Sequence, residues 1–236
     1  MDNKSSGLSA SKIVRELVLQ RPCLLYCMAM GIINFSELAR KVKKDVEKRL
    51  GRRTSDDAVK MALIRTADEV EKTWSMLENK LRSLIGNSII TLQTDIAVLT
   101  FDKDVSDKII EVLSRLGNTR FLQYTQGFQS TTVFISMEDL EEFLKLVDEN
   151  AEVIMRDQSA IIIKSPRDII TTPGFIAYIT TMLAWNGINI NQIISCHDET
   201  ILIIDRRDAL RTYNILEELI LSQRRSLQLE HSSNDA

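Results

Sequence analysis

Apolar residues recur at steps of three and four through the first third of the chain, and they alternate with polar residues in much of the remainder. The first pattern is typical of helices that bury one face, and the second is typical of strands in a half-buried sheet. Residues 9–86 are therefore predicted to be helical throughout, and no Gly or Pro interrupts the last helix from Ser55 to Ile85. After Gly86 and Asn87 the pattern changes to short runs rich in β-branched residues, which predict strands.

The runs after residue 87 predict the order strand, helix, strand, strand, helix, strand, which is the ferredoxin-like order. The same order starts again after residue 157, with corresponding features about 65 to 70 residues apart, as expected of a tandem duplication. The fold class is therefore α+β, an all-helical domain followed by two βαββαβ repeats. The predicted segments are 1–8 (disordered), 9–86 (helical), 87–156 (first repeat), 157–223 (second repeat) and 224–236 (polar tail).

The second repeat contains no convincing final strand, because "SLQLE" is followed at once by polar residues. A spare strand, "SIITLQ", precedes the first repeat. We expect this strand to complete the sheet of the second repeat, in which case the two repeats interlock and cannot fold independently.

Charge is distributed unevenly along the chain. Residues 1–86 contain 17 Lys and Arg against 11 Asp and Glu, a net charge of +6, whereas residues 87–236 contain 13 against 22, a net charge of −9. Eight of the fourteen residues from Arg40 to Arg53 are basic and two are acidic. Such a segment is a candidate surface for phosphate contacts, although a solvated helix face is an equally common cause.

Several functional classes receive no support from the sequence. The longest nearly uninterrupted apolar run, Cys23 to Ile33, is shorter than the roughly 20 residues that span a bilayer, and the polar start lacks a signal-peptide core. We therefore expect a cytoplasmic protein that does not contact membranes. No phosphate-binding glycine loop, nucleophile motif or metal-ligand spacing is present, so we expect no enzyme, cofactor or metal site. Residues 196–199, "CHDE", are expected to form a hairpin turn rather than a metal or substrate site, because neighbouring strand residues point to opposite faces and do not converge on one ligand.

The segment "TTPGFIAYITTMLAWNGINI", followed by "IISCHDETILIID", lies within a span from Ser159 to Leu221 that resembles an ACT domain. It is most similar to the second ACT domain of aspartokinases. The resemblance implies a regulatory module that pairs into shared sheets and binds a small effector, usually an amino acid. The first repeat matches by the order of its elements only, because "FDKDVSD" stands where Pro-Gly would be expected.

The residues themselves agree with an effector site at the start of the helix after Pro173. Gly174 would let a ligand approach the first free N–H groups of that helix, whose positive end favours a carboxylate. The hydroxyls of the two threonines before Pro173 could donate hydrogen bonds, and an Asn in the next strand could meet an amino group. The predicted ligand-binding residues are Thr171, Thr172, Pro173, Gly174, Phe175 and Asn189. The alternative is that Pro173 and Gly174 only make a tight connection, with no ligand.

The segments "INFSELARKV" and "TSDDAVKMALIR" resemble the helix-turn-helix core of winged-helix DNA-binding domains. The resemblance implies a recognition helix from Ser55 to Arg65, with DNA contacts from Arg49, Arg52, Arg53, Lys60 and Arg65. The sequence departs from that pattern in a longer connection, in two acidic residues at 56 and 57, and in the lack of a clear wing unless the strands after Gly86 serve. The alternative is a helical dimerisation or partner-docking domain with a solvated basic face.

Together these observations favour a transcriptional regulator that senses an amino acid or related metabolite, binds DNA, and forms a homodimer or higher homo-oligomer. A second hypothesis is a regulatory subunit or adaptor that does not bind DNA and controls a partner enzyme in amino-acid metabolism. A third is a purely structural oligomer.

Overall fold

A computed structural model describes the backbone of residues 9–234 and the side chains of residues 9–229. The predicted disordered segment 1–8 lies outside the described residues. The chain divides into two compact units after Lys80. This division falls inside the fourth helix, before the predicted boundary at residue 86, because Leu81, Leu84 and Ile85 are buried in the second unit.

The first unit is helical, as predicted, and its core is formed by one buried apolar cluster. Its helices are α1 (Ala10–Leu19), α2 (Pro22–Ala29), α3 (Phe35–Leu50) and α4 (Asp56–Gly86). Polar caps start three of them: the N–H groups of Lys12, Glu37 and Ala58 donate to the side chains of Ser9, Asn34 and Ser55. Gly51 ends α3 in the left-handed conformation, with φ +71°.

The second unit contains one antiparallel six-stranded sheet in the order β2-β3-β1-β4-β6-β5. Its strands are β1 (Ile89–Asp102), β2 (Leu122–Gln126), β3 (Ser130–Ser136), β4 (Val153–Lys164), β5 (Gln192–Cys196) and β6 (Glu199–Asp205). The α+β class is therefore confirmed.

Two long strands replace four predicted short ones. β1 unites "SIITLQ" with "TDIAVLTF", and β4 unites the last strand of the first predicted repeat with the first strand of the second. Each strand continues through an Asp with positive φ, Asp95 (59°) and Asp157 (53°), and the β1–β4 register shifts beside Ile96. Bulges of this kind bend a strand without ending it.

The spare strand pairs as expected. Residues 89–93 pair with residues 160–164, which also pair with β6, whereas residues 96–100 pair with β3 and with the first half of β4. Each half of the sheet thus contains four strand segments in the ferredoxin-like spatial order. Because β1 and β4 run through both halves, the halves are interlocked.

The sheet is curled. One buried cluster contains Phe134 from β3 and Ile203 from β6, although β1 and β4 lie between those strands. On the other face, Phe101 of β1 packs edge-on against Phe143, with ring centroids 6.2 Å apart. The helices of this unit are α5 (Ser106–Arg115), α6 (Leu140–Val147), α7 (Phe175–Trp185) and α8 (Ala209–Asn234).

The last helix extends beyond the predicted end of the second repeat. Residues 224–234, which the sequence assigns to a polar tail, are helical. Arg224 stabilises this extension, because its Nε donates to the carbonyl of Gly86 at 2.6 Å and its Nη2 donates to that of Ser88 at 2.7 Å. A side chain at Gly86 would meet Leu227 Cδ1 at 2.9 Å, so the glycine permits the close approach of α8.

Candidate functional site

The start of α7 is an open helix N-terminus. Gly174 occupies the N-cap position with φ +93° and ψ −11°, and no side chain caps the helix. The first helical hydrogen bond runs from the N–H of Tyr178 to the carbonyl of Gly174. The N–H groups of Phe175, Ile176 and Ala177 therefore have no acceptor among the described residues. No acidic residue lies in the first turn, so its partial positive charge is not neutralised there.

A cleft of about 460 Å³ adjoins this helix end. One wall is the 3-10 turn at Arg167–Thr171 and its continuation, the second is the first turn of α7, and the third is the end of β5. The lining residues are Ile169, Ile170, Thr172, Gly174, Phe175, Ile176, Ala177, Ser195 and His197. A mainly apolar cleft with a few converging polar groups suits a small molecule that has an apolar body and a carboxylate.

The two predicted threonines stabilise the turn before α7. Thr172 Oγ1 donates to the carbonyl of Asp168 at 2.9 Å, and Thr171 Oγ1 donates to the same oxygen at 3.3 Å. Their hydroxyl protons are thus engaged, which leaves oxygen lone pairs rather than the predicted donors for a ligand. Thr172 lines the cleft, whereas Thr171 and Pro173 are exposed beside it.

Asn189 lies in a different group of side chains. Its Nδ2 donates to Asn191 Oδ1 at 2.7 Å, and Asn191 Nδ2 donates to Gln158 Oε1 at 2.6 Å. Asn189 is not among the residues that line the cleft. The structure therefore brings together Thr172, Gly174 and Phe175 and separates Asn189 from them.

Ser195 and His197 are lining residues that the sequence did not identify. Residues 197–198 form the predicted hairpin turn, and His197 has φ +53°. The turn nevertheless borders the cleft at the start of α7. It also borders a second cleft of about 460 Å³, lined by Arg167, Ile170, Cys196, His197 and Asp198. The sequence pattern predicts the hairpin turn, but only the packing of the 3-10 turn at Arg167–Thr171 places the hairpin beside α7.

Two acidic residues of the β5–β6 hairpin form ion pairs with Lys164 of β4. Lys164 Nζ contacts Asp198 Oδ1 at 2.9 Å and Glu199 Oε1 at 3.5 Å. The hydrogen bond from Lys164, helped by the charge of Arg167, holds the pKa of the Asp198 carboxyl below its usual value, and the same pair raises the pKa of Lys164. Because these groups are in contact with solvent, their contribution to stability is small.

Comparison with known families gives a match in the half of the sheet that contains the cleft at the start of α7. Residues 153–218 match the ACT domain family. The match begins at the first residue of β4 and contains the whole cleft at the start of α7. It supports a ligand-binding regulatory role for this part of the chain.

Solved structures with partial similarity include two aspartate kinase structures. The ligand-free regulatory subunit of aspartate kinase from Thermus thermophilus is 16% identical, with a TM-score of 0.47, over 55% of this chain and 95% of that one. Clostridium acetobutylicum aspartate kinase is 16% identical, with a TM-score of 0.48, over 56% of this chain and 34% of that one. No curated protein sequence matches the chain. Neither structural likeness is close enough to assign a function.

The residues predicted to bind DNA lie outside the ACT match, in the first unit. Arg49 Nη1 is 3.9 Å from Glu16 Oε2, whereas Arg52 and Arg53 are exposed in the loop after α3 and have no acidic partner among the described residues. Lys60 and Arg65 both lie on α4. They are about 140° apart around the helix axis, so the structure does not bring them to one face.

Other features of the first unit bear on the same prediction. Residues 9–80 contain no strand, and the strands after Gly86 belong to the six-stranded sheet, so the described part of this unit has no wing. Asp56 is paired with Lys43 at 3.0 Å, and Asp57 is exposed. The helix-turn-helix therefore stays a prediction.

Three lysines of α3 belong to the basic segment predicted from Arg40 to Arg53. Lys41, Lys44 and Lys48 are exposed, recur at helical spacing, and precede the exposed arginines of the loop.

Neither a metal site nor a membrane span is found among the described residues. Within residues 9–229, no three His, Cys, Asp or Glu side chains are placed to hold a metal ion. Among the helices that the structure describes, none has the length and apolar character needed to cross a bilayer.

Proposed function

We propose that this chain is a ligand-responsive regulator whose effector binds in the cleft at the start of α7. The main support is the uncapped helix end, where three N–H groups lie beside a mainly apolar cleft. This helix end lies within the residues that match the ACT domain family. A carboxylate at that position would accept hydrogen bonds from these N–H groups and interact favourably with the helix dipole.

The effector in this proposal is an amino acid with an apolar side chain. No acidic side chain lines the cleft within the described residues, but the oxygens of Thr172 and Ser195 can accept hydrogen bonds from an ammonium group. Ile169, Ile170 and Ile176 would contact the side chain of the ligand. We therefore expect binding of a branched or otherwise apolar amino acid in preference to an acidic one.

Both halves of the sheet are ACT-type repeats in this proposal, and the second repeat alone binds the effector. The shared strands β1 and β4 would make the first half respond to a shift in the second, because neither strand can move in one half only. To regulate anything, the effector must bind two states of the protein with unequal affinity. Assembly into a homodimer supplies a natural set of such states.

A thermal-shift screen tests the sensor. The proteinogenic amino acids and their biosynthetic intermediates are added to the purified protein, and a ligand that binds only the folded state must raise the melting temperature. We expect a reproducible rise with one apolar amino acid. The absence of any rise at millimolar ligand would contradict the proposed site.

DNA binding by the first unit is the proposed output. The support is the exposed basic surface formed by Lys41, Lys44, Lys48, Arg52 and Arg53, the kind of surface that contacts phosphates. Fluorescence anisotropy across salt concentrations, with duplexes that include the upstream region of the gene, would measure it. Protein that binds no duplex, even at low salt, would contradict this output.

Replacing Arg52 and Arg53 together by Ala should weaken binding to all duplexes alike. The slope of log affinity against log salt should fall by about 1 to 2, because two phosphate contacts are lost. The control replaces Arg211 and Arg225, two exposed cations of α8, and should leave the slope unchanged. A loss restricted to one DNA sequence would argue against phosphate contacts.

The alternative output is control of a partner enzyme. The exposed carboxylate of Asp57 at the start of α4 favours this alternative, because it would lie close to phosphates if α4 were a recognition helix. Copurification of an enzyme of amino-acid metabolism, together with a lack of DNA affinity at low salt, would establish it.

A further inference from the structure

The last turn of α4 belongs to the second unit. The chain passes from the first unit to the second between Lys80 and Leu81, inside α4. Leu84 and Ile85 are buried in the core of the second unit, so this turn is anchored there. A change in the second unit that tightens or loosens the turn therefore acts directly on the helix that continues into the first unit.

A chain of hydrogen bonds joins this turn to the hairpin turn beside the cleft at the start of α7. The N–H of Ser165, the residue after β4, donates to the carbonyl of Asp198 at 2.8 Å. Ser165 Oγ lies 2.8 Å from Ser88 Oγ, and Ser88 Oγ donates to the carbonyl of Leu84 at 2.7 Å. Because Ser88 has a single hydroxyl proton, Ser165 donates the bond between the two hydroxyls.

Both hydroxyls in this chain are shielded from water. Ser88 is 1% exposed and Ser165 is 5% exposed, so a bond lost from either leaves a buried polar group without a partner. Arg224 holds the same point from α8, since its Nη2 donates to the carbonyl of Ser88 at 2.7 Å. The link is therefore both ordered and costly to break.

Phe175 joins the same two places through apolar contacts. It is the first residue of α7, it is buried, and it lines the cleft. It also lines a core cavity of about 10 Å³ together with Ile85 of α4 and Ser88. Protein interiors are close-packed and transmit strain, so a shift of Phe175 is passed on to the residues that share this cavity.

We propose that the cleft at the start of α7 controls the last turn of α4 through Ser165, Ser88 and Phe175. The proposal rests on the proposed function, because it takes the effector to bind in that cleft. A carboxylate at the start of α7 orders the first turn of this helix, including Phe175, and an occupied cleft holds the neighbouring hairpin turn. Both changes keep the last turn of α4 closed, so that closure and effector binding favour each other.

Amide hydrogen exchange of the full chain tests this link without any ligand. Ala177→Asp places a carboxylate in the first turn of α7, as the effector would, and Ala177→Asn is the neutral control. We expect exchange at residues 84–88 to be slower in the Asp variant than in the Asn variant by about fivefold or more. In a Ser165→Ala background this difference should shrink to less than about half, because the hydrogen-bond chain is broken.

Ser159→Ala provides the matched background. Ser159 is a buried serine of β4 whose hydroxyl has no hydrogen-bond partner among the described residues, so its loss leaves the chain of bonds intact. The difference between the two Ala177 variants should persist there. Circular dichroism and melting temperature verify that each variant is folded. Equal exchange at residues 84–88 in the two Ala177 variants, or a difference that Ser165→Ala leaves unchanged, would overturn the proposal.

Ligand experiments separate this link from the proposed function. L-Leucine, L-isoleucine and L-valine at millimolar concentration are the probes. A probe that raises the melting temperature should slow exchange at residues 84–88 as well as at residues 175–177. Ser88→Ala, which lies outside the cleft, should lower the affinity for that probe by about threefold or more.

The outcomes are distinguishable. A probe that slows exchange at residues 175–177 and leaves residues 84–88 unchanged would support the proposed function and overturn the link. A lack of any rise in melting temperature would count against the proposed function, whereas the comparison of the Ala177 variants would still decide the link.

Discussion

The helices α5 and α7 follow corresponding strands in the two halves of the sheet, yet their N-termini differ in charge. Before α5, the Asp102 carboxylate accepts the N–H of Asp104 at 2.9 Å, and Asp107 follows in the first turn. Before α7, Gly174 provides no carboxylate and the first turn contains no acid. The first half thus supplies its own negative charge where the second half leaves N–H groups open.

The difference distinguishes a helix end that only supports the fold from a helix end that could bind a ligand. Both connections satisfy the same topology, so topology alone does not require a helix start that lacks nearby negative charge. A carboxylate ligand would be repelled at α5 and attracted at α7. An acid added to the second connection should remove the difference between the two helix ends, and separate variants can distinguish backbone strain from ligand contact.

The largest expected effect comes from Ala177→Asp. Ala177 is exposed in the first turn of α7 and lines the cleft. An Asp there interacts favourably with the helix dipole and should maintain or slightly raise stability, but it places a like charge beside the ligand carboxylate. We expect isothermal titration with the amino acid found by screening to show binding weakened by about tenfold to a hundredfold.

Ala177→Asn is the matched neutral control, and it should weaken binding much less. If both variants bind as the wild type does, no carboxylate sits at this helix end.

Gly174→Ala should lower the free energy of unfolding by roughly 1–2 kcal/mol, because a side chain is strained at positive φ. Chemical denaturation measures the loss. Gly117→Ala is the control, since Gly117 has ordinary φ and nothing within 4 Å of an added Cβ. Equal stability of the two variants would show that the left-handed conformation at Gly174 is not required. A substitution at Gly174 lowers stability through backbone strain whether or not a ligand binds there. Ala177 is therefore the better position for testing ligand contact.

Asp102→Ala removes the carboxylate of the first connection. We expect a loss of about 1 kcal/mol in unfolding free energy, as for other capping residues. Asp104→Ala, which removes an exposed carboxylate without a capping role, should have little effect. A gain of amino-acid binding at α5 in the Asp102 variant would show that charge alone distinguishes the two connections.

The smallest effect concerns acid stability. Hydrogen bonds from the Arg207 side chain and backbone lower the pKa of Asp205, which caps the turn before α8, to about 2. Since the pKa is lower in the folded state than the usual 3.8, the associated stability is present above pH 3.8 and is lost as pH falls towards 2. Melting temperature against pH in Arg207→Ala should decline less steeply over this window than in Arg211→Ala. Parallel curves would exclude this pair as the cause.

Local signals in the sequence predicted the helices, the strand order and the Pro-Gly connection. They did not predict that β1 and β4 are continuous, because Asp95 and Asp157 resemble turn residues and only pairing with neighbours carries the strands past them. The helical extension of α8 depends on Arg224, whose partners at Gly86 and Ser88 are distant in sequence.

The same limit applies to the site. The hairpin turn at His197 was predictable, but its proximity to α7 was not, because the connection before the helix folds back against it. Asn189 is close to α7 in sequence and yet binds Asn191, since the chain turns away after the helix.

Amide hydrogen exchange, measured with and without the amino acid found by screening, tests the contrast between the two helix ends most directly. We expect slower exchange at the N–H groups of residues 175–177 and unchanged exchange at residues 104–107. Slower exchange at the start of α5, or unchanged exchange at both helix ends when ligand is bound, would contradict it.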